Sequence, residues 1–307
     1  MAYRTVRRGR RSYTRKATRP TRKGYGGTRR RRSYPTTRRR YSKKMSSKRI
    51  LNMVSRKKRD SMMSYSNVTT LNPVNGQTYT AGPAVLRGDQ TYMFAWIPTA
   101  RDLSYSNNTA NSIINESQRT STTCYMRGLK EAMNVRTNSG AAWQWRRICF
   151  TNKGDDFVGI NDIGSNYYTE TSNGMVRTMN NINTKSSSTA LIDRLFRGTQ
   201  NKDWLNLFNA PLENRNFKIW YDRTISIASG NEQGLVRTYK HWFPMNKNLV
   251  YDDDENGENI KQSFLSTTGK PGMGDYYIVD FFQPSDGQDQ SDTLALLPEA
   301  TLYWHEK

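Results

Sequence analysis

The sequence predicts an all-β fold: a single antiparallel jelly roll, that is an eight-stranded β-sandwich, with short helices in its connecting loops and a disordered basic N-terminal arm before it. Three observations lead there. From Asp60 onward, short runs of aromatic and β-branched residues recur between Gly, Pro, Asn and Asp. All seven Trp and all ten Phe lie in that part of the chain. Residues 1–59, in contrast, hold 25 of the 48 Lys+Arg and no Asp or Glu, which leaves 23 cations against 26 acids in the remainder. The formal charge of +22 therefore divides into +25 and −3. Such asymmetry implies a polyanionic partner.

Taken in order, the predicted strands are 61–70, 90–99, 122–137, 143–152, 215–229, 235–245, 276–282 and 299–307. Asn75-Gly76, Ser139-Gly140 and Asp286-Gly287 are the turn dipeptides among them. Phe217, Ile219 and Tyr221 alternate as the same-face set of a half-buried strand. In 188–198, Leu191, Ile192, Leu195 and Phe196 fall on one helical face, with Ser188 or Thr189 as cap and Gly198 as stop. A second short helix is expected after Asp203, over Trp204, Leu205, Leu207 and Phe208, ending before Pro211. No repeat of 20–50 residues is visible, which argues against a propeller or solenoid. The predicted domains are thus an arm over 1–59 and a sandwich over 60–307.

The arm has too little apolar surface to offset its ordering entropy; only Ile50, Leu51, Met53 and Val54 cluster. Its Arg clusters (Arg7, Arg8, Arg10, Arg11; Arg29, Arg30, Arg31, Arg32; Arg38, Arg39, Arg40) are candidates for neutralising phosphates. Tyr13, Tyr25, Tyr34 and Tyr41, with Tyr3, are spaced among them and offer ring faces to unpaired bases. At the junction, Lys43-Lys44 and Arg56-Lys57-Lys58-Arg59 flank an eleven-residue spacer, the pattern of a bipartite nuclear-import signal that an import receptor would read. In 143–150, Trp143, Trp145 and Arg147 face one way on a strand, while Gln144 and Arg146 face the other. Arg146 and Arg147 are the candidates in the sandwich for holding phosphate beside a stacked base; core tryptophans flanked by strand cations are the plainer reading.

Other classes find little support. No apolar run exceeds the six residues Tyr92 to Ile97, well short of the ~18–20 of a membrane span. The start has no apolar h-region, and it lacks the apolar helical face of a transit peptide. Cys124 and Cys149 read as buried free thiols rather than a disulfide framework. Two histidines, His241 and His305, cannot form an HExxH site, and neither a P-loop nor a GxSxG elbow is present. The run Asp252–Glu258 starts like a calcium loop, but Ser263 stands where the bidentate Glu belongs, so a solvated hairpin is expected. No enzymatic activity, cofactor or metal is expected.

The arm, SRKKRD (55–60), RTSTTCYMRGLKE (119–131), TNSGAAWQWRRICF (137–150), LIDRLFRGTQNKDWLNLFNAP (191–211), NRNFKIWYDRT (214–224), KHWFPMNKNLVYDDDENG (240–257) and GMGDYYIVDFFQP (272–284) together resemble the capsid proteins of genomoviruses, gemycircularvirus type, and more distantly those of geminiviruses. The resemblance covers essentially the whole chain. It implies a jelly-roll coat protein that self-assembles, sixty copies to an icosahedral shell, around circular single-stranded DNA replicated in the host nucleus. It thus places the protein in the virion and the nucleus. Sixty arms at +25 would carry about 1,500 positive charges, matching on the order of one to two kilobases of single strand. Two other readings share these features: a monomeric nuclear nucleic-acid-binding protein with a β-sandwich module, and a metal-dependent nuclease with a basic docking tail.

Overall fold

The computed structural model describes residues 45–307, apart from 75, 77, 106–108, 155–156 and 158–165. The chain divides into two units, Met1–Met45 and Ser46–Lys307, and the second holds all the described elements. It is mostly β, in antiparallel sheets, with two short helices: α1 (Ser47–Val54) and α2 (Ser186–Leu195). Eight strands make its frame. They are β1 (Arg56–Met62), β2 (Tyr92–Trp96), β3 (Thr123–Thr137), β4 (Trp143–Asn152), β5 (Lys218–Ile227), β6 (Val236–Val250), β7 (Asp275–Pro284) and β8 (Thr293–Glu306).

One sheet has the order β1-β8-β3-β6, with the short strand Ala84–Arg87 also paired to β8; the other has the order β5-β4-β7-β2. The two pack face to face. Met62, Met126, Leu129 and Leu302 of the first sheet meet Trp96, Cys149 and Ile278 of the second, and farther along Met133, Val135 and Leu296 meet Trp143, Trp145 and Phe282. The second sheet is buried on its other face as well. There Ile148, Phe150, Tyr277, Val279 and Phe281 are covered by α2 and by Phe208 and Phe217 from the long β4–β5 connection. This explains why β4 and β7 are buried at nearly every position, with Arg146 and Arg147 of β4 paired rather than exposed, while β3 and β8 alternate between buried and at least partly exposed positions.

The observed strands depart from the predicted ones for identifiable reasons. β1 begins at Arg56, ahead of the composition boundary at Asp60, because Lys58 and Met62 point inward and the whole strand pairs with β8 from Glu306 to Ala300. The folded unit accordingly begins at Ser46, whose hydroxyl accepts the Arg49 N–H and caps α1. β6 runs past Pro244 to Val250, because it is an edge strand and a bulge between Pro244 and Lys247 absorbs the missing donor. A second bulge between Ile219 and Tyr221 breaks the expected alternation. Phe217 and Ile219 pack on the outer cluster, whereas Tyr221 turns inward onto Phe243, ring centroids 5.4 Å apart.

α2 forms with the expected apolar residues Leu191, Ile192 and Leu195 buried, but it starts earlier, at Ser186 after Lys185. Ser188 and Thr189 therefore lie inside the helix rather than capping it, and it ends at Leu195 with Phe196 already extended. The second helix does not form. Residues 201–209 are turns, because the Asp203 carboxylate accepts the Thr199 N–H at 2.7 Å and closes a local loop instead of capping a helix. Cys124 and Cys149 are free and buried, and burial pushes both thiols up, away from reactivity.

At the centre lie four buried charges: Glu131 on β3, Arg147 on β4, Asp280 on β7 and Arg177 from the short strand Arg177–Met179. Arg147 Nε and Nη2 donate to Asp280 at 2.6 and 2.8 Å, and its Nη1 donates to Glu131. Arg177 Nε donates to Glu131 at 2.9 Å and Nη2 to Asp280 at 3.2 Å; Trp145 Nε1 adds a bond to Asp280 at 2.8 Å. Burial by itself would raise the Glu131 carboxyl, but the two guanidiniums outweigh it and hold the group down at about 2.

Removing one partner leaves an uncompensated buried charge, so Arg177→Met should cost about 3–5 kcal/mol, read as a lower urea midpoint of the unassembled chain. Because the folded carboxyl of Glu131 lies below its unfolded value of 4.5, its contribution is complete above about pH 4.5 and is lost as pH falls toward about 2. Acid unfolding of Glu131→Gln should therefore be flatter in that window than that of the parent chain.

Candidate nucleic-acid interface

The expected nucleic-acid residues of the arm (Arg7, Arg8, Arg10, Arg11, Arg29, Arg30, Arg31, Arg32, Arg38, Arg39, Arg40, Tyr13, Tyr25, Tyr34 and Tyr41) lie outside the described residues, as do Lys43 and Lys44. The two candidates in the sandwich are inside, and their placement argues against a DNA role. Trp143, Trp145 and Arg147 do share the inward face of β4, but Arg147 is consumed by Glu131 and Asp280. Arg146 points to the opposite face, where it donates to Asp222 at 2.9 and 2.8 Å and to the carbonyls of Leu207 and Ala210. It pins the β4–β5 connection onto the sheet. Both guanidiniums are buried and fully engaged, so neither can take up a phosphate.

The basic cluster on β1 divides by strand periodicity. Lys58 is buried, its ammonium 3.2 Å from Glu306 and donating to Gln118 O at 2.7 Å. Arg56, Lys57 and Arg59 are exposed. Lys57 and Arg59 belong to a wider surface, the outward face of the β1-β8-β3-β6 sheet. The register aligns Lys57, His305 and Tyr125 in one row, Arg59, Tyr303 and Gly128 in the next, and Ser61, Thr301, Lys130 and Trp242 in a third. Arg127 projects at the β3 bulge between the first two rows, and Lys240 lies beyond the third. Glu299 is the acid of these four strands that shares the face.

The rings on this face are paired and open to solvent. Trp242 is 50% exposed, and its indole meets the Tyr303 ring edge-on at 5.8 Å. Tyr125 is 36% exposed and stands 6.0 Å from the His305 ring. Gly128 makes the close packing possible: its φ is +155°, and a Cβ there would stand 2.6 Å from Phe243 O and 2.8 Å from the Trp242 ring. Burial, together with Lys57 and Arg127, lowers the His305 imidazole below its usual range, so at neutral pH it is an uncharged ring. The cations around these rings are mostly uncommitted. Lys130 and Lys240 have no carboxylate within 4 Å among the described residues, and the Arg59–Glu116 pair, at 3.6 Å, is two-thirds exposed on both sides.

Cations that track a phosphate backbone, set among rings on which bases stack, form a surface suited to single-stranded nucleic acid without sequence reading. The sequence alone does not reveal it. YMRGLK (125–130), HWF (241–243) and LYWH (302–305) each show outward rings or cations at alternate positions, but only the strand register brings them into one patch.

The acidic run also resolves differently from a wholly solvated hairpin. Asp254–Asn256 and Asn259–Lys261 do pair around Gly257, but Asp253 turns inward to Arg119, 2.6 Å away. Among the described residues, no group of three or more His, Cys, Asp or Glu is placed to hold a metal ion, and no helix is long and apolar enough to cross a membrane. No protein-family model matches the chain, and no curated protein matches it.

Replacing an exposed cation of this face should lower binding of a thymidine oligonucleotide uniformly and reduce the slope of log K against log salt by about 0.7 for each of Arg127→Ala and Lys130→Ala. Trp242→Ala should weaken binding by about 1–3 kcal/mol with the salt slope unchanged, measured by fluorescence anisotropy at several salt concentrations.

Proposed function

We propose that the chain is a virus coat protein of the genomovirus type, which assembles into a small icosahedral shell and packages circular single-stranded DNA. The observation that carries this reading is the strand order. β1-β8-β3-β6 facing β5-β4-β7-β2, with the first strand beside the last, is the order expected of a jelly roll, in which successive strands cross between the sheets except at β4–β5. Residues 1–55, which hold 21 Lys/Arg and no acid, lead into its first strand, and the exposed sheet face adds rings and further cations. The near-neutral remainder of the chain supports tiling, since subunits of small net charge pack without strong mutual repulsion. The arm and the sheet face bind phosphates, and the jelly roll builds the wall.

Expression of the full chain, followed by electron microscopy, should show uniform closed shells holding nucleic acid; a chain still monomeric at micromolar concentration would favour the nuclear binding-module reading. Deletion of 1–42 should leave shells that lack encapsidated DNA, judged by the ratio of absorbance at 260 and 280 nm.

Nuclear entry through Lys43, Lys44 and the β1 cluster belongs to the same proposal. Because Lys58 is a buried partner of Glu306, the informative variant is Arg56→Ala/Lys57→Ala/Arg59→Ala with Lys58 retained. It should hold a reporter fusion in the cytoplasm; undiminished nuclear accumulation would place the signal elsewhere.

A further inference from the structure

Where the edge strands β5 and β6 of the two sheets come together, a cleft of about 420 Å³ opens between them. Trp220 forms its floor. The indole packs against the interior cluster, and its N–H donates to Thr151 Oγ1 at 3.3 Å. Two ammonium groups stand near this one ring, one from each sheet. Lys218 Nζ lies 4.3 Å and Lys247 Nζ 5.7 Å from the ring centroid.

The placement follows from the two bulges. The extra residue in β5 is Trp220 itself, and Lys247 follows the β6 irregularity, where Asn246 adopts φ +49°. Cation–π attraction favours each ammonium singly, but both together repel. Lys247 accordingly holds Lys218 below the usual lysine range. Neither lysine has a carboxylate within 4 Å among the described residues, although many other cations among those residues are paired with one. Two like charges converging without a counter-charge, over an apolar floor, are completed by an anion. The cleft also falls in the ~300–1,000 Å³ range of ligand sites.

We infer that this cleft is a phosphate notch, in which Lys218 and Lys247 together hold a backbone phosphate of single-stranded nucleic acid above Trp220. The inference rests on the coat-protein reading and adds to it a second point of contact in the sandwich. The chain connects the two surfaces: Arg127 of the outward sheet face donates to the Asn246 side chain, and Lys247 is the next residue. A strand lying on that face and passing over the β6 edge meets the notch.

The test is photocrosslinking of the full chain to a thymidine oligonucleotide carrying 5-bromodeoxyuridine, with adducts mapped by mass spectrometry. Adducts within residues 216–223 are expected. Their yield should fall at least tenfold in Lys218→Met/Lys247→Met, while adducts in 1–59 keep theirs. Inorganic phosphate, balanced against chloride at equal ionic strength, should suppress the 216–223 adducts selectively. If the chain binds the oligonucleotide but gives no adduct there, or one indifferent to the lysines, the notch is overturned and the coat-protein reading stands. If the full chain does not bind the oligonucleotide, both fall. Should the double variant fail to fold, Lys218→Gln alone carries the comparison, with the same direction expected.

Discussion

The four-charge cluster of Glu131, Arg147, Arg177 and Asp280 is the constraint around which the sandwich is arranged. Glu131 belongs to one sheet, Arg147 and Asp280 belong to the other, and Arg177 comes from a short strand paired to Ser64–Ser66. Apolar contacts between the sheets tolerate sliding, because dispersion has no direction. Guanidinium–carboxylate bonds at 2.6–3.2 Å do not, so they set both the spacing and the register of the two layers. Trp145 and Trp96 close over the cluster, with the Arg147 and Arg177 guanidiniums 4.9 and 4.3 Å from their ring centroids. This exclusion of water is what makes the pairing strong and the loss of any one partner severe.

The same residue types serve two different purposes, and the presence of a carboxylate partner separates them. Arg146, Arg147, Arg177, Arg119 and Lys58 are buried, each against an acid, and hold elements together. Arg127, Lys130 and Lys240 are exposed without an acid partner among the described residues, and they stand among solvent-facing rings. Near-neutrality of the chain after Asp60 is thus not uniform. Acids are drawn into the interior to neutralise the buried cations, and one sheet face is left positive.

Much of the fold was legible, because strand periodicity survives in short windows. β3 and β4 fall almost where their runs of aromatic and β-branched residues place them, and α2 follows its apolar face. What stayed hidden has a common cause. β1 is nearly all charged, and its inward residue Lys58 looks like any other cation until Glu306, at the far end of the sequence, is seen beside it. The Arg146 and Arg147 side chains were placed correctly on opposite faces, but not their partners Asp222, Glu131 and Asp280, which come from distant strands. Asp203 has the type and position of a helix cap, yet it bonds backward to Thr199 and makes a turn.

By itself, the sequence determined that this chain joins a polycation to an antiparallel β protein, since both follow from local quantities: charge per segment and the two-residue period. Which cations are free was decided only by the tertiary structure. That depends on register, because shifting one strand by a single residue exchanges its inward and outward faces. Register aligns Tyr125, Lys130, Trp242 and Tyr303 on one exposed surface, and two bulges bring Lys218 and Lys247 together over Trp220. Neither juxtaposition can be read from spacing along the chain, since each joins residues of different strands.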